Sequence, residues 1–418
     1  MERITQTYRD NQALVWVCVL IFVNQLGFGS IVPVVPLYAQ EFGVSSTAIG
    51  LTIAIYGAAR FLMNVPTAQI ADRYGRRVAL ATGGAITVTG NLVCALADSY
   101  WLFLGGRFIS GAGAAMVITG AQIVVTDISV PANRGRLMAI YQGTFTVAVG
   151  LGPLPGGFLA EYFSLSTPFF LYSILGGGVA ALAWTRIPET HGLDATGTVI
   201  RGSQVPLGQQ LRLLTAQIGF VLVAIVSFTV FFARTGALFN LIPTLADSKL
   251  GLTPGQIGIG LALISIVGLI LAYPSGVLVD RFGRKSVIVP STLISGVSLV
   301  MFAIAPSFLW FILSCFAWAV AVGIAGPAPA AYAADSAPAG MNASAMGLYR
   351  MLADAGYVVG PLLLGGAADI LSSETALYIT GGMVIASGIA FAVLAPETYR
   401  REKALTPDRD LEGNRGRG

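Results

Sequence analysis

Charged residues are scarce in this chain. Only 11% of its 418 residues are Asp, Glu, Lys or Arg, while 55% belong to the hydrophobic set AVILMFWYC and the mean hydropathy is +0.76. A soluble globular protein of this size does not have such a composition. The alternating pattern of a membrane β-barrel is also missing. Because backbone polar groups in a bilayer core must be hydrogen-bonded within the protein, the sequence predicts membrane-spanning helices.

Histidine and cysteine are also rare, which excludes several kinds of site. The single histidine, His191, falls in a polar central loop, so no histidine-based metal site can form and neither metal nor cofactor is expected. Cys18, Cys94 and Cys315 lie in apolar runs, where an odd number predicts small core residues rather than disulfides. Without a Cys-His or His-carboxylate arrangement, the sequence gives no indication of an enzyme.

Two further absences concern energy source and partners. The chain has no G-x-x-x-x-G-K-[ST] loop, which excludes nucleotide-driven pumping. Its formal charge is +4, but the basic residues are dispersed among short loops and form no continuous groove for nucleic acid. The expected partners are therefore the lipid bilayer and a small-molecule substrate.

A duplicated segment organises the rest of the sequence. AQIADRYGRR at 68–77 recurs as GVLVDRFGRK at 276–285, 208 residues later. The same offset relates further identical positions, namely Asp127 and Asp335, and Gly152-Pro153 and Gly360-Pro361. The chain is therefore predicted to be a duplicated unit.

Apolar runs of about 20 residues or more mark the membrane spans. Twelve are predicted, numbered here as spans 1 to 12: 13–38, 47–70, 77–97, 100–124, 137–160, 167–187, 215–245, 255–279, 286–305, 308–333, 343–368 and 375–395. The predicted domains are an N-terminal six-helix bundle at 1–187, a cytoplasmic linker at 188–214, a C-terminal six-helix bundle at 215–395 and a cytoplasmic tail at 396–418.

The distribution of Lys and Arg predicts the orientation. If the N terminus is cytoplasmic, the basic loops, the linker and the tail all lie inside, and only Lys249 lies outside. We therefore expect a multi-pass protein of the plasma or inner membrane with both termini in the cytoplasm. The first apolar run, 13–38, is too long for the apolar region of a cleavable signal peptide.

Charged residues inside the spans indicate a polar path. Arg60, Arg107, Arg234, Arg350 and Asp354 are embedded, at a cost of about 3 kcal/mol or more each unless they face a cavity or a partner. Spans 3, 6, 9 and 12 have no charged residue away from their ends, so we expect these four to pack against lipid and the other eight to surround the path. The candidate cavity and coupling residues are Asn24, Gln25, Arg60, Arg107, Gln142, Arg234, Arg350 and Asp354.

Asp354 is the candidate proton carrier, because it is the one carboxylate placed well inside a span and no histidine is available there. Arg350 precedes it by one helical turn, so an intrahelical ion pair with a purely structural role is an equally open alternative. Such a pair would leave Asp354 without a function in coupling.

The embedded charges predict the sign of the substrate. Four arginines against one aspartate leave three surplus positive charges, and the offset sets Arg234 at the depth of Asn24 and Gln25, towards one cavity. An organic anion or zwitterion is therefore expected rather than a quaternary cation. The alternative is that main-chain carbonyls, waters or aromatic faces satisfy Arg60 and Arg234. Aromatic side chains also predict an amphipathic substrate, unless they are ordinary helix packing: Phe231, Phe232, Trp318 and Tyr332.

The repeated loop and the embedded residues resemble those of the major facilitator superfamily of secondary transporters, and the resemblance extends over essentially the whole length of the chain. Residues 69–77 and 276–285 match the loop signature G-x-L-A-D-R-x-G-R-R, with Ala68 for the first Gly and Ile70 for Leu. Residues 107–115 resemble the family's helix 4 motif, R-x-x-q-G-x-g-a-a, with Ser110 for Gln. Residues 152–157 and the Gly-Pro of span 11 are similar to the G-P-x-x-G-G motif of drug and proton antiporters, although Ala148 replaces the leading Gly.

The resemblance implies an all-α fold of twelve transmembrane helices in two pseudo-symmetric six-helix bundles, around a cavity that opens alternately to either side. It implies a conformational latch formed by Asp72, Arg73, Gly75, Arg76, Arg77, Asp127, Gly276, Asp280, Arg281, Gly283, Arg284, Lys285 and Asp335. Asp127 and Asp335 look like partners of Arg76 and Arg284, and Gly276 is expected to let helices approach closely. The implied kink residues are Gly152, Pro153, Gly156, Gly157, Gly360 and Pro361.

The functional expectation is a proton-coupled efflux antiporter that works as a monomer and draws its energy from the proton gradient. Some family antiporters have an acid in span 1, where this chain has Asn24 and Gln25, so their coupling scheme does not transfer unchanged. An importer or uniporter for an organic anion is the alternative, and a membrane enzyme or receptor is a remote one.

Overall fold

The computed structural model describes residues 2–129, 134–190, 207–326, 328–338 and 342–397. It has twelve helices long and apolar enough to cross a membrane, which confirms the predicted number. Spans 1 to 6 are Glu2–Ile31, Ser46–Tyr74, Arg76–Ala95, Tyr100–Asp127, Arg134–Leu151 with Pro153–Tyr162, and Thr167–Arg186. Spans 7 to 12 are Ile218–Leu250, Pro254–Phe282, Lys285–Ile304, Phe308–Ala325 with Ala328–Asp335, Asn342–Ile370, and Ser373–Leu394. Short helices follow span 1, at Val35–Glu41, and precede span 7, at Leu207–Thr215.

Local sequence signals set where the spans begin and end. Ser45 and Thr253 cap spans 2 and 8, because their hydroxyls accept hydrogen bonds from backbone N–H groups of the first turn. The same two spans end at Gly75 and Gly283, whose φ angles of 99° and 89° favour glycine. These two glycines of the repeated motif therefore form the turns that follow spans 2 and 8.

The two halves of the chain form bundles with matching internal neighbours. In the first bundle, span 1 packs against spans 5 and 6, and span 3 packs against spans 4 and 6. In the second bundle, span 7 packs against spans 11 and 12, and span 9 packs against spans 10 and 12. Each second-bundle span lies in the sequence copy of its first-bundle counterpart, 208 residues later. Glycines allow very close packing, since a Cβ on Gly90 would lie 2.3 Å from Ser110 N and one on Gly113 would lie 2.5 Å from Thr87 N.

The bundles meet along spans 2 and 11 and along spans 5 and 8. We call the side of the membrane with the loops at Gly75 and Gly283 the motif side, and the opposite side the far side. On the far side Gly365 packs against Ser46, and at mid-depth a Cβ on Gly57 would lie 2.9 Å from the ring of Tyr357. Hydrogen bonds between the bundles, in the described part of the chain, also lie on the far side. The bundles are thus closed together on the far side.

Span 7 contains a π-helix at Arg234–Leu241, which the sequence did not predict. Within it, Thr235 Oγ1 donates a hydrogen bond to Tyr357 O of span 11 at 3.1 Å. That carbonyl has no helical donor because residue 361 is Pro361, which lacks an N–H. Span 7 therefore satisfies the backbone gap that the proline opens in span 11. π-helical segments inside α-helices occur frequently at functional sites.

The predicted kink residues lie at helix contacts. Span 11 runs through Pro361, and in span 5 Gly152, which precedes Pro153, keeps a helical backbone conformation and i to i−4 hydrogen bonds on both sides. A Cβ on Gly152 would lie 2.5 Å from the backbone of Gly29 in span 1. Further close contacts of this kind join Gly156 to Ser30 in span 1, Gly157 to Pro254 in span 8, and Gly360 to Phe232 in span 7.

Candidate functional site

Arg76 is the centre of a hydrogen-bonded cluster in the loop between spans 2 and 3. Its Nε lies 2.9 Å from Asp127 Oδ2 and its Nη1 lies 2.8 Å from Asp72 Oδ1. Nη1 also donates to Ala71 O at 2.9 Å, and Thr190 Oγ1 donates to Asp127 Oδ2 at 2.6 Å. The expected contact between Arg76 and Asp127 is therefore present, and it joins the start of span 3 to the end of span 4.

Glu189, which sequence reasoning missed, completes this cluster. Its Oε1 accepts a hydrogen bond from Arg76 N at 2.8 Å, and its Oε2 accepts one from Arg77 N at 3.2 Å. A carboxylate at a helix start satisfies free N–H groups and interacts favourably with the helix dipole. Glycine is required at position 75 for space as well as for φ, because a Cβ on Gly75 would lie 2.4 Å from Glu189 Oε2.

The second copy of the loop repeats the contact between the arginine and the aspartate. Arg284 Nε lies 3.0 Å from Asp335 Oδ2. Lys285 Nζ donates to Ala395 O at 2.6 Å, as Arg77 Nε donates to the equivalent carbonyl of the first half at 3.1 Å. Both loops thus attach a basic side chain to an acid of the same bundle.

Other residues of the predicted latch contribute less. Arg73 and Arg281 lie over the aromatic ring of the residue that follows each of them, at 5.3 and 5.6 Å from the ring centroid. The expectation for Gly276 is wrong among the described residues, because a Cβ there would meet none of their atoms within 4 Å. The side chain of Asp280 lies outside the described residues.

Four cavities lie between the bundles in the described part of the chain, and each contains an arginine from a span. We name them by that residue: the Arg60 cavity of about 300 Å³, the Arg234 cavity of about 320 Å³, the Arg350 cavity of about 640 Å³, and a small Arg107 cavity. Their lining residues belong to spans 1, 2, 4, 5, 7, 8, 10 and 11 and to the short helix after span 1, as predicted. The Arg350 cavity includes Asp127 at the end of span 4, so it lies towards the motif side.

The Arg60 cavity is the space between spans 2 and 11. Arg60, from the first bundle, and Asp354, from the second, both line it, together with Asn64 and Tyr357. Asp354 forms no ion pair with Arg60 or Arg350 among the described residues. The intrahelical pair between Arg350 and Asp354 is therefore not present, and Arg350 lines a different cavity, with Gln142 of span 5.

The Arg234 cavity is largely apolar. Arg234 stands at the start of the π-helix, and its Cζ lies 5.5 Å from the ring centroid of Phe239. No carboxylate lines this cavity among the residues that the structure describes. The walls combine hydroxyl groups with apolar and aromatic side chains, including Thr146, Ser265, Leu261, Ile264 and Trp318. Such a lining suits an amphipathic molecule with a negative group.

Arg107 is satisfied in part within its own bundle. Its Nε donates to Thr52 O at 3.2 Å, and its guanidinium lies over the ring of Tyr56, with Cζ 4.4 Å from the centroid. Its Nη1 is buried and has no hydrogen-bond partner among the residues that the structure describes. A main-chain carbonyl and an aromatic face thus hold this arginine within the first bundle.

The expectation that Asn24 and Gln25 face the Arg234 cavity is wrong. Both are buried, Asn24 Nδ2 donates to Gln25 Oε1 at 2.8 Å, and neither lines a described cavity. Residue 26 is the repeat equivalent of Arg234, and neighbouring residues of a helix point about 100° apart. Equal depth therefore does not mean the same face.

Two of the four aromatic side chains expected at the substrate surface are helix packing. Phe232 stacks near Phe228 inside the second bundle, with ring centroids 6.0 Å apart. Tyr332 is buried and donates a hydrogen bond to Pro396 O. Trp318 is the one of these that lines an interbundle cavity.

Twelve spans in two matching bundles, with charged cavities between them and closure on one side, define a multi-pass membrane transporter of the alternating-access type. The family model of the Major Facilitator Superfamily matches residues 17–249 and also residues 223–415. The chain belongs to this superfamily, and it is a transporter rather than an enzyme.

Relatives of described function are similar over nearly the whole chain. The inner membrane transport protein YajR of Escherichia coli is 26% identical over 379 residues, which cover 88% of this chain and 80% of that protein. Multidrug resistance protein 1 of Bacillus subtilis is 25% identical over 386 residues, covering 90% and 95%. A solved bacterial homologue of the human lysosomal transporter Spinster, inward-facing and unoccupied, is 17% identical with a TM-score of 0.76, covering 92% and 96%; this likeness shows a shared fold.

Proposed function

We propose that this protein is a secondary exporter of small amphipathic organic anions or zwitterions, coupled to protons. The observation that carries the proposal is that Arg60 and Arg234 are exposed to cavities without a carboxylate paired to either of them among the described residues. Both lie in interbundle cavities, and neither forms an ion pair with a described residue. An unpaired guanidinium in a membrane-embedded cavity favours a negatively charged ligand group.

Both cavities favour a ligand with a negatively charged group, but they differ in their other charges. The Arg234 cavity offers a cation among apolar walls, which suits an amphipathic anion, and a lipophilic cation would be repelled there at low local dielectric. The Arg60 cavity offers a cation and Asp354 from opposite bundles, which suits a zwitterion or an anion that travels in exchange with a proton.

The orientation of the basic loops is compatible with export. The motif side carries Arg73, Arg76 and Arg77 in one loop and their counterparts in the other, so it is the cytoplasmic side by the positive-inside rule, and both termini are cytoplasmic. The cavities then receive substrate from the cytoplasm in this state. The multidrug resistance protein among the relatives supports the same direction. One chain supplies both bundles, and we propose that the monomer is the working unit.

A facilitative carrier for organic anions is the second candidate. The observation that favours it is the buried, mutually bonded pair Asn24 and Gln25, because it leaves span 1 without a carboxylate for coupling. The two functions differ in a measurable way. A proton-coupled exporter accumulates substrate against its gradient when a proton gradient is imposed, whereas a facilitator only equilibrates it.

Transport into proteoliposomes tests the sign of the substrate. Fluorescein serves as the organic anion and ethidium as the lipophilic cation, and we expect proton-driven uptake of fluorescein alone. Arg234→Ala is expected to reduce fluorescein transport about tenfold or more, and Arg234→Lys to retain part of it, because a positive charge remains.

The matched control for Arg234 is Arg186→Ala, since Arg186 lies over the ring of Trp16, outside the interbundle cavities. That variant is expected to transport like the wild type. Tight ethidium binding that is unaffected by Arg234→Ala would refute the proposed substrate class.

A further inference from the structure

Two carboxylates on the far side each connect one bundle to the start of a helix in the other. Asp369, in the last turn of span 11, accepts hydrogen bonds from Ser46 N at 2.7 Å and from Thr47 N and Oγ1 at 2.8 and 2.5 Å. Glu161, in the last turn of span 5, accepts one from Thr253 Oγ1 at 3.0 Å. Spans 2 and 8 begin at these contacts.

The two contacts are copies of one another. Glu161 and Asp369 are 208 residues apart, and so are Ser45 and Thr253, the N-cap residues of spans 2 and 8. The duplication has therefore placed an acid opposite the same helix start in both halves of the molecule. Because spans 5 and 2 belong to the first bundle and spans 8 and 11 to the second, each acid reaches across the interface.

A glycine one turn before each acid makes the approach possible. A Cβ on Gly365, four residues before Asp369, would lie 2.4 Å from Ser46 O. A Cβ on Gly157, four residues before Glu161, would lie 2.5 Å from the backbone carbonyl oxygen of the residue after Thr253. Any larger residue at either position would push the bundles apart and carry the carboxylate away from its helix.

Asp369 completes the cap of span 2. Ser45 Oγ accepts the hydrogen bond from Ala48 N, and Asp369 accepts those from the two residues between them. The first turn of a helix has free N–H donors and a positive dipole end, so a carboxylate there is stabilised. A cap supplied by the opposite bundle exists only while the bundles are in contact.

We propose that Asp369 and Glu161 form the far-side gate of this transporter. Both carboxylates hold the bundles together in the observed state, and both release when the far side opens. Asp369 holds the opposite bundle more strongly than Glu161 does, because among the described residues Asp369 accepts three hydrogen bonds and Glu161 accepts one. The gate lies apart from the Arg60 and Arg234 cavities, so it depends on neither the identity of the substrate nor proton coupling.

The test measures the distance across the far side by double electron–electron resonance. Spin labels at Trp101 and Leu309 report it, since these residues are 75% and 68% exposed and begin spans 4 and 10, one in each bundle. The three native cysteines are first replaced by alanine so that labels attach only at these two sites. The measurement requires no transported molecule.

Removing each gate acid is expected to shift molecules towards the far-side-open state. Asp369→Ala is expected to raise the ratio of open to closed molecules about tenfold, because three hydrogen bonds to a charged group are lost. Glu161→Ala is expected to raise it about threefold, for the loss of one. Thr47→Val removes a single donor without changing the charge and is expected to give a similarly small rise.

The matched control is Glu374→Ala. Glu374 also lies on the far side, but it pairs with Lys249 of its own bundle at 3.3 Å, so the ratio should remain that of the wild type. If Asp369→Ala does not fold, Thr47→Val and Glu161→Ala carry the test. A ratio in these variants equal to that of Glu374→Ala would overturn the gate. A wrong substrate class would instead appear as fluorescein transport that is absent or unaffected by Arg234→Ala, with the distance shifts intact.

Discussion

Asp127→Asn is expected to destabilise the protein more than Asp72→Asn, although both carboxylates contact Arg76. The side chains of Arg76 and Asp127 are only 12% and 18% exposed, whereas that of Asp72 is 70% exposed. Asp127 also accepts the hydrogen bond of Thr190. Water therefore replaces the Asp72 contact easily and the Asp127 contact poorly.

The magnitudes follow from this difference in exposure. A hydrogen bond to a charged group that is shielded from water contributes about 2 kcal/mol, and an exposed ion pair about 0.5 kcal/mol. Asp335→Asn, in the second copy, is expected to fall between them at about 1 kcal/mol, because Arg284 and Asp335 are 20% and 37% exposed. A loss of 1 kcal/mol lowers the melting temperature of a bundle of this size by roughly 2–4 °C. The melting temperature should therefore fall by about 6 °C for Asp127→Asn, about 3 °C for Asp335→Asn and about 1 °C for Asp72→Asn.

Tryptophan fluorescence during thermal unfolding of the purified protein in detergent measures these shifts. The order Asp127, Asp335, Asp72 is the decisive result, since it depends on exposure and not on the size of any one contribution. Equal shifts for all three variants, or the largest shift at Asp72, would show that burial does not determine the strength of these contacts.

Three other variants test separate contacts. Asp354→Asn should abolish the pH dependence of fluorescein transport, because Asp354 is the carboxylate of the Arg60 cavity; full proton-driven accumulation would place coupling elsewhere. Glu189→Ala should destabilise the protein by about 1 kcal/mol, since the start of span 3 loses its cap, and Glu189→Gln by less; equal melting temperatures for both variants would contradict this. Thr235→Val should cost about 1 kcal/mol by leaving Tyr357 O without its donor, and an unchanged melting temperature would show that the π-helix does not compensate Pro361.

The sequence predicts those features that depend on local chemistry. Hydropathy alone is enough to locate twelve spans, because a bilayer demands continuous apolar runs. Gly75 and Gly283 are predictable as turns from the repeated motif. Glu189 was predictable as well, since Pro-Glu-Thr at 188–190 recurs at 396–398 with the same offset, and that signal was overlooked.

Features that depend on packing could not be predicted. The repeat offset gives the depth of Arg234 but not its direction, which changes by about 100° with each residue. The π-helix that carries Arg234 arises where span 7 meets Pro361 of span 11, a contact that no local pattern in span 7 records. Which residues share a cavity with Arg234 could therefore be learned only from the structure and not from the sequence pattern.

The duplicated acids act differently on the two sides of the membrane. On the motif side, Asp127 and Asp335 bind arginines of their own bundle, so these pairs can persist whichever side of the transporter is open. On the far side, Glu161 and Asp369 bind the opposite bundle, so their contacts exist only while that side is closed. Substitutions in the first pair should therefore lower the melting temperature without changing the distance across the far side. Substitutions in the second should change that distance, because they alter the balance between two folded states and leave each bundle intact.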